Sequence, residues 1–434
     1  MAELYFPRED SFLLQQAVRD HVRGIVLDMG TGSGIQALEA AKKKNVSKVV
    51  AVDKNAQAIA YCKHHCKHHC KHQSAAGNST KKITFLVSDL FSAVQGKRFG
   101  AFDTIIFNPP YLPSDPSYPD LALDGGKQGC EVIERFLSQA SAHLKQDGCI
   151  LLLFSTLSKQ QKVHDAIAKY AFQYSLVAQQ KLPFETLFVY KITKSPLLVA
   201  LEKRGVCHVQ WFSKGKRGII YTGLWKKKQV AIKTHRPESR VDTIDHEIHM
   251  LQFLNKHGIG PIYLGKGRIH GRITPERITH GRISDLHQQY MMYQFVHGSF
   301  IMDALACASK QQAISILREV FLQMRKLDVL HINKEEMHHP YKHVLVSFTN
   351  QNHQNQKRPR VTLLDFERCR RTPTPQNITQ FCQCVISTRM QYLLQQKGVS
   401  LSKQEFIQAA RVYKKQLSAN RSDFYFQTLL RLLS

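Results

Sequence analysis

No stretch of this 434-residue chain stays apolar for the ~20 residues that a membrane span needs; the longest run, Cys149–Phe154, has the length of a strand. The opening MAELYFPRED lacks the basic-then-apolar pattern of a signal peptide, so the chain is expected in the cytoplasm. Its ten cysteines fall at irregular spacings. They are read as reduced thiols, which excludes a disulfide framework. Acidic residues are scarce: 33 Asp+Glu face 61 Lys+Arg, a formal charge of +28. The excess is uneven, with a net of +7 over residues 1–195 and +21 over 196–434. So basic a half suits polyanionic surroundings (tRNA, the ribosome, ATP phosphates), or forms a solvated basic surface. With 43% hydrophobic residues the chain is globular, and its length suits two or three domains.

The apolar run Phe102–Phe107 closes on Asn108-Pro109-Pro110-Tyr111. Two consecutive prolines stiffen the backbone and remove two donors, leaving carbonyls free to accept. Asn108 adds a donor and an acceptor, and Tyr111 a flat face. The set suits a planar group bearing an NH2: an amide or an exocyclic base amine.

Upstream, Tyr5-Phe6-Pro7-Arg8-Glu9-Asp10-Ser11 leads into an amphipathic helix with Phe12, Leu13, Gln16 and Ala17 at helical spacing and Ser11 or Asp10 as N-cap. A strand Gly24–Leu27 then enters Asp28-Met29-Gly30-Thr31-Gly32-Ser33-Gly34, before a helix over Ile35–Lys43. Glycines 30, 32 and 34 allow a tight turn and close approach of a ligand to the backbone. A second strand, Lys48–Val52, ends in Asp53, placed to take two ribose hydroxyls. A third, Ile83–Val87, ends in Ser88-Asp89-Leu90, suited to a purine edge. Strands with chemistry at their carboxyl ends, separated by helices, predict a doubly wound parallel sheet with the site along that edge.

The order D-x-G-x-G-x-G, acid, S-D-L, N-P-P-Y resembles the class I methyltransferases that use S-adenosylmethionine. The opening Y-F-P-R-E-D-S-F-L-L and the segment Asp124 to Phe136 (DGGKQGCEVIERF) resemble the HemK-type protein glutamine methyltransferases of archaea and eukaryotes. Gly148–Phe154 and Pro183–Ile192 resemble the last hairpin of that α/β Rossmann-like fold, so the resemblance covers residues 3 to about 193. It implies that Ser11, Asp28, Gly30, Asp53, Asp89 and Leu90 line the cofactor and that Asn108 holds the substrate amide, the glutamine of a Gly-Gly-Gln loop in a translation termination factor. It also implies a small zinc-binding activator protein that covers an apolar strand. N-P-P-Y also resembles adenine-N6 DNA methyltransferases, where a flipped base would sit in this pocket, although the first half shows no inserted target-recognition domain and is only mildly basic. One segment departs from the family: the tandem repeat Cys62–His72 (CKHHCKHHCKH) sets cysteines on one helical face. Adventitious metal binding is the expectation there, and no metal site is assigned.

The second half opens with Ser195–Gly205, read as a linker or first strand. Gly215 and Gly218 in a glycine-containing hairpin, Lys233 in V-A-I-K, Glu247 on a following helix and Asp365 in D-F-E follow in order. This set resembles protein kinases, in particular the small atypical kinases of the RIO type and an archaeal kinase-like group with M-x-x-P-x-K-H-V-x-V and D-F-E-R. It implies an α+β protein-kinase-like domain that binds ATP and Mg through Gly215, Gly218, Lys233, Glu247 and Asp365. The departure is that His338 stands where the catalytic Asp belongs and His343 where the metal-binding Asn belongs, leaving Glu335 or Glu336 as candidate base. Gly267–Ile283 and Asn350–Arg360 are polar and basic and are expected to be surface loops, with RNA contact as the functional alternative.

The sequence thus predicts a methyltransferase domain over 1–195 and an atypical kinase-like domain over 200–434, the latter with lobes at about 205–297 and 298–434. The first is expected to methylate a termination-factor glutamine, the second to act as a kinase, an ATPase or a pseudokinase. The alternatives are an adenine-N6 DNA or RNA methyltransferase gripping nucleic acid through the basic half, and a non-catalytic second half that binds tRNA, the ribosome or other translation machinery.

Overall fold

A computed structural model of the protein describes residues 5–72, 80–96, 99–114, 123–236, 239, 242–270, 288–350, 357–417 and 422–433. It divides into two compact units, Met1–Ser213 with Ile220–Lys228 and Arg268–Gln288, and Lys214–Ile219 with Gln229–Gly267 and Gln289–Ser434.

The first unit begins with helix α1 (Glu9–His21), followed by β1 (Gly24–Met29), α2 (Ile35–Lys42), β2 (Val46–Asp53), α3 (Ala56–His72), β3 (Ile83–Val87) and β4 (Phe102–Phe107). A helix over Glu131–His143 leads to β5 (Leu144–Ser155), another over Gln160–Lys169 to β6 (Phe172–Lys181), and β7 (Thr186–Lys194) completes the sheet. The strand order is β3-β2-β1-β4-β5-β7-β6. β1 pairs in parallel with both β2 and β4, so the order reverses between β1 and β4. That is the switch point at which doubly wound sheets open a crevice at their strand ends. Register puts the chemistry there: Met29 lies opposite Val52 on one side and Phe107 on the other, and Asp53 opposite Val87.

α1 and α2 cover one face, burying Leu13, Leu14, Ala17, Val18, Ala37 and Ala40 against Val26, Val49, Ile106 and Leu151. Phe12 points to solvent, because the buried stripe of α1 runs through Leu13, Leu14, Ala17 and Val18 instead. On the helix Glu131–His143, Phe136 lies against Phe107 and stacks on Phe91, with ring centroids 4.7 and 5.4 Å apart.

Three local expectations are corrected. The N-cap of α1 is Arg8, with no side-chain capping bond; Asp10 and Ser11 lie in the first turn, where the Asp10 carboxylate is drawn into long-range hydrogen bonds. The last hairpin is β6–β7, not β5 with β7 alone. β5 does pair antiparallel with β7, but β6 pairs with the other edge of β7. Ser195–Gly205 is neither linker nor strand: Ser195 Oγ accepts the Leu198 N–H, Pro196 stands in the first turn, and a helix runs Pro196–Lys203 with Leu197, Leu198 and Leu201 buried.

In the second half, β8 (Val206–Lys214), β9 (Gly218–Trp225), β10 (Lys228–His235), β11 (Tyr263–Ile269) and β12 (Gln288–Gln294) form a sheet in the order β11-β12-β10-β9-β8. A helix over Ile244–Asn255 follows β10. Beyond residue 300 the second unit is largely helical, built on the helix Lys310–Val329, whose buried Ile316, Leu317, Val320, Phe321 and Met324 anchor the core. Of the segment Asn350–Arg360, residues 357–360 belong to a strand paired with Val344–Asn350 rather than to a loop, and 351–356 lie outside the described residues. Most of Gly267–Ile283 lies outside them too. Among the described residues no helix is long and apolar enough to cross a membrane.

Candidate functional site

At the carboxyl edge of β1, β2 and β4 lies a cavity of about 460 Å³, a size that suits a small-molecule ligand. Ser11, Asp28, Gly30, Gly32, Asp53, Asp89, Leu90, Asn108, Pro109, Pro110 and Tyr111 all line it. Gly34 does not; it caps α2 in the left-handed region at φ +83°, and a Cβ there would stand 3.0 Å from Cys62 Sγ. Cys62 and Cys66 of the repeat turn inward, and the side chains from residue 67 onward lie outside the described set.

The walls hold five carboxylates, Asp10, Asp28, Asp53, Asp89 and Asp124, against the cations Lys54 and Arg135. In a chain of charge +28 that local inversion suits a cationic ligand. Asp53 accepts the Gly32 and Asn55 N–H groups at 2.9 and 2.8 Å, and burial raises its pKa. Asp28 is more enclosed: it accepts the Thr31 hydroxyl at 2.6 Å and the Ala37 N–H at 3.0 Å, and burial pushes its carboxyl up to about 7. Asp89 pairs with Arg135 at 2.6 Å. A cation entering the cavity favours ionised Asp28, so affinity for a cationic ligand is expected to rise severalfold between pH 6 and 7.5. Titrating the ligand at several pH values checks this, and Asp28→Asn removes the slope.

Asn108 carries the most telling geometry. Its Nδ2 donates to Asp10 Oδ2 at 2.8 Å, while its Oδ1 is buried and has no hydrogen-bond partner. The Asp10 carboxylate can only accept here, so it fixes which way the amide points. The same carboxylate takes the Tyr5 hydroxyl at 2.9 Å and the Ser11 N–H at 2.6 Å. Sequence reasoning missed Asp10 as a site residue, because its pairing with Asn108 spans 98 positions, and Tyr5 enters the site only through Asp10. Behind the motif, the glycines of the 124–136 segment meet the Pro-Pro-Tyr backbone. A Cβ on Gly129 would lie 2.4 Å from the Tyr111 carbonyl oxygen, and one on Gly125 2.7 Å from that of Pro110. The segment therefore serves as a backrest for the motif, with Ser158 Oγ donating to the Tyr111 carbonyl at 3.0 Å.

The second unit gathers its own charged cluster. Lys233 Nζ lies 2.7 Å from Glu247, 3.2 Å from Asp365 and 3.6 Å from Glu367, and Arg217 reaches Glu367 at 3.3 Å. Burial alone would lower the Lys233 pKa, but the Glu247 and Asp365 carboxylates raise it well above its ordinary value. Asp365 sits in the left-handed region at φ +61°, and its backbone carbonyl accepts the Lys334 ammonium. Gly218 is packed on the Lys233 stem, and Gly215 closes the β8–β9 turn by donating to the Gly218 carbonyl. His338 and His343 both line a polar cavity with Glu335 and Glu336.

Residues 9–185 match the family described as Methyltransferase small domain. A putative protein N5-glutamine methyltransferase of Methanocaldococcus jannaschii is 36% identical over 192 residues, 43% of this chain and 90% of that one. A release factor glutamine methyltransferase of Koribacter versatilis is 34% identical over 160 residues, 34% of this chain and 53% of that one. The chain thus spans about half the length of that bacterial relative. The solved structure of the E. cuniculi Mtq2–Trm112 complex, described as responsible for methylating the eRF1 translation termination factor, aligns at 25% identity over 44% of this chain and 98% of that one, with a TM-score of 0.34.

Proposed function

Since the first half of this chain makes it a member of the family of S-adenosylmethionine-dependent protein N5-glutamine methyltransferases, we propose that it methylates the side-chain amide of the glutamine in the Gly-Gly-Gln loop of a translation termination factor. The carrying observation is the buried, unpartnered Oδ1 of Asn108, a residue of the cavity wall whose Nδ2 is held by Asp10. An amide nitrogen is a poor nucleophile because its lone pair is delocalised. Asn108 Oδ1 accepts one N–H of the incoming amide and the Pro109 carbonyl the other, which turns the nitrogen toward the methyl donor. S-adenosylmethionine, when bound, supplies a methyl group on a cationic sulfonium, and the acidic cavity walls of Asp10, Asp28, Asp53 and Asp89 fit that charge. The positive charge disappears as the methyl moves, so positioning rather than a strong base carries the step.

The edge strand β3 supports an activator: Ile83, Phe85 and Leu86 are only half-buried and Val87 is exposed, leaving an apolar strand open to a partner's cover. The test is label transfer from methyl-labelled S-adenosylmethionine to the organism's termination factor, with a small zinc-binding candidate protein present. Label on the factor that vanishes when its Gly-Gly-Gln glutamine is replaced is the expected result. Label on DNA or tRNA instead overturns the reading in favour of adenine-N6 methylation.

For residues 200–434 the Lys233–Glu247–Asp365 cluster favours a second reading, an ATP-binding kinase-like domain. A strand lysine braced by a helix carboxylate is placed to grip phosphates, and Asp365 to meet their metal.

A further inference from the structure

β8 is an outer strand of its sheet, and its exposed side is aromatic. Val206 and Val209 are buried against Gly223, while Trp211 and Phe212 are 44% and 52% exposed. Successive residues of a strand point to opposite faces, so neither face of β8 is fully covered there. A bare apolar edge invites pairing with another strand. Here His208 breaks the strand geometry with a left-handed backbone at φ +53°. Such irregularity, with lysines beside it, blunts an edge against strand addition.

The charge and the neighbouring turn point to another occupant. Residues 203–213 and 220–228, all in the first compact unit, contain five Lys and Arg and no Asp or Glu. Three of the five, Lys226, Lys227 and Lys228, are consecutive and exposed where β9 passes into β10. Lys226 and Lys227 are the two central residues of that connection, with φ +51° and +63°. A two-residue turn with both residues left-handed strongly prefers Asn-Gly, because a Cβ is penalised there. Two lysines occupy it against that preference. Lys226 also sets its ammonium over the Trp225 ring, 4.5 Å from the centroid. Trp225 is fixed in turn by its Nε1–H, which donates to the Arg204 carbonyl at 3.1 Å. A merely solvated basic surface requires neither the strained lysines nor the ring beneath them.

We propose that this ribbon binds single-stranded RNA, with an unstacked base on Trp211 and the backbone phosphates running to Lys226, Lys227 and Lys228. Gly223 abuts Val206, so the lysines stand near the start of β8 and Trp211 lies roughly 15 Å further along the strand. Aromatic faces accept any base, and phosphates complement a surface that has cations and no carboxylates. A duplex keeps its bases stacked on one another and offers none to Trp211, whereas RNA presents unstacked bases in its loops and ends. An acidic peptide would answer the lysines but brings no flat groups to cover the exposed rings.

Trp211 and Trp225 are the two tryptophans of the chain, so intrinsic fluorescence reports on this ribbon alone. An oligouridine of roughly 10 nucleotides is titrated into the full chain, beside a duplex RNA of equal length and poly-glutamate. The expected result is saturable quenching by the single strand, about tenfold or more tighter than the duplex. Its affinity falls with salt at a logarithmic slope of about −2, the value for three phosphate contacts on a single strand. Variants are compared by the anisotropy of labelled RNA. Trp211→Ala weakens binding by roughly 5- to 150-fold, and Trp211→Phe restores most of it. Lys226→Asn combined with Lys227→Gly suits the turn better than the lysines do, so the thermal midpoint holds or rises while RNA affinity falls. Absence of quenching, duplex or poly-glutamate binding as tight as the single strand's, or unaltered affinity in the double turn variant overturns the proposal.

Discussion

Asn108→Ala lowers the rate of methyl transfer to the termination-factor glutamine by roughly 10²–10³-fold, equivalent to ~2.7–4 kcal/mol of transition-state stabilisation. Affinity for S-adenosylmethionine changes by less than about tenfold, because the acidic residues that fit its charge, among them Asp28, Asp53 and Asp89, stay in place. The loss belongs to the amide: without Oδ1 nothing at that position accepts the substrate N–H, and its nitrogen lone pair is no longer aimed. Asp10→Ala acts through the same atom. With its carboxylate gone, the Asn108 amide is free to present either end, so kcat falls by a smaller factor while the Asn108 side chain remains. Single-turnover transfer from labelled cofactor to the purified factor, alongside a cofactor titration, separates the two effects. A variant of Asn108 that still transfers within tenfold of the unaltered chain sinks the role assigned here.

Much of this site was legible because it lies where strands end. The run Phe102–Phe107 reads as a buried strand, and a strand followed by Asn and two prolines must stop there, so Asn108 falls at the sheet edge whatever the rest of the chain does. Asp53 after Lys48–Val52, and Asp89 after Ile83–Val87, follow by the same logic. What the sequence did not disclose depends on distant partners. Asp10 reads as a helix cap from its neighbours alone, and only the fold reveals that it faces Asn108. Strand β6 escaped because its alternation is blurred by exposure, most of its residues being half-buried or exposed at the sheet margin. The helix Pro196–Lys203 could have been found from its Ser-Pro start, but its leucines also suit a strand. In the second unit, Lys233, Glu247 and Asp365 were expected together and are brought together. Glu367 was not; two residues past the left-handed Asp365, it lies 3.6 Å from Lys233.

The largest stability effect is expected at Lys233. Its side chain and that of Glu247 are 9% and 3% exposed, and they meet at 2.7 Å. Lys233→Met removes the cation and leaves Glu247 in a buried site with its charge uncompensated, a change that costs about 3–5 kcal/mol in such settings. Burial without the lysine raises the Glu247 pKa above that of the unfolded chain, so Glu247 escapes part of that cost by taking a proton. Between the two pKa values the folded variant then binds more protons than the unfolded one, so its stability falls as pH rises. The deficit of Lys233→Met is therefore greater at pH 7 than at pH 5. Chemical denaturation of the full chain at both values checks this, through the transition that moves in the variant, since two compact units need not unfold as one. Adding Glu247→Leu to Lys233→Met removes the most deeply buried of the charges that lose the lysine, leaving the more exposed Asp365 and the Arg217-paired Glu367, and recovers part of the loss, because replacing both members of a buried pair with apolar groups is tolerated far better than removing one. A double variant no more stable than Lys233→Met alone would place the cost in lost packing of the lysine stem against Gly218 rather than in electrostatics.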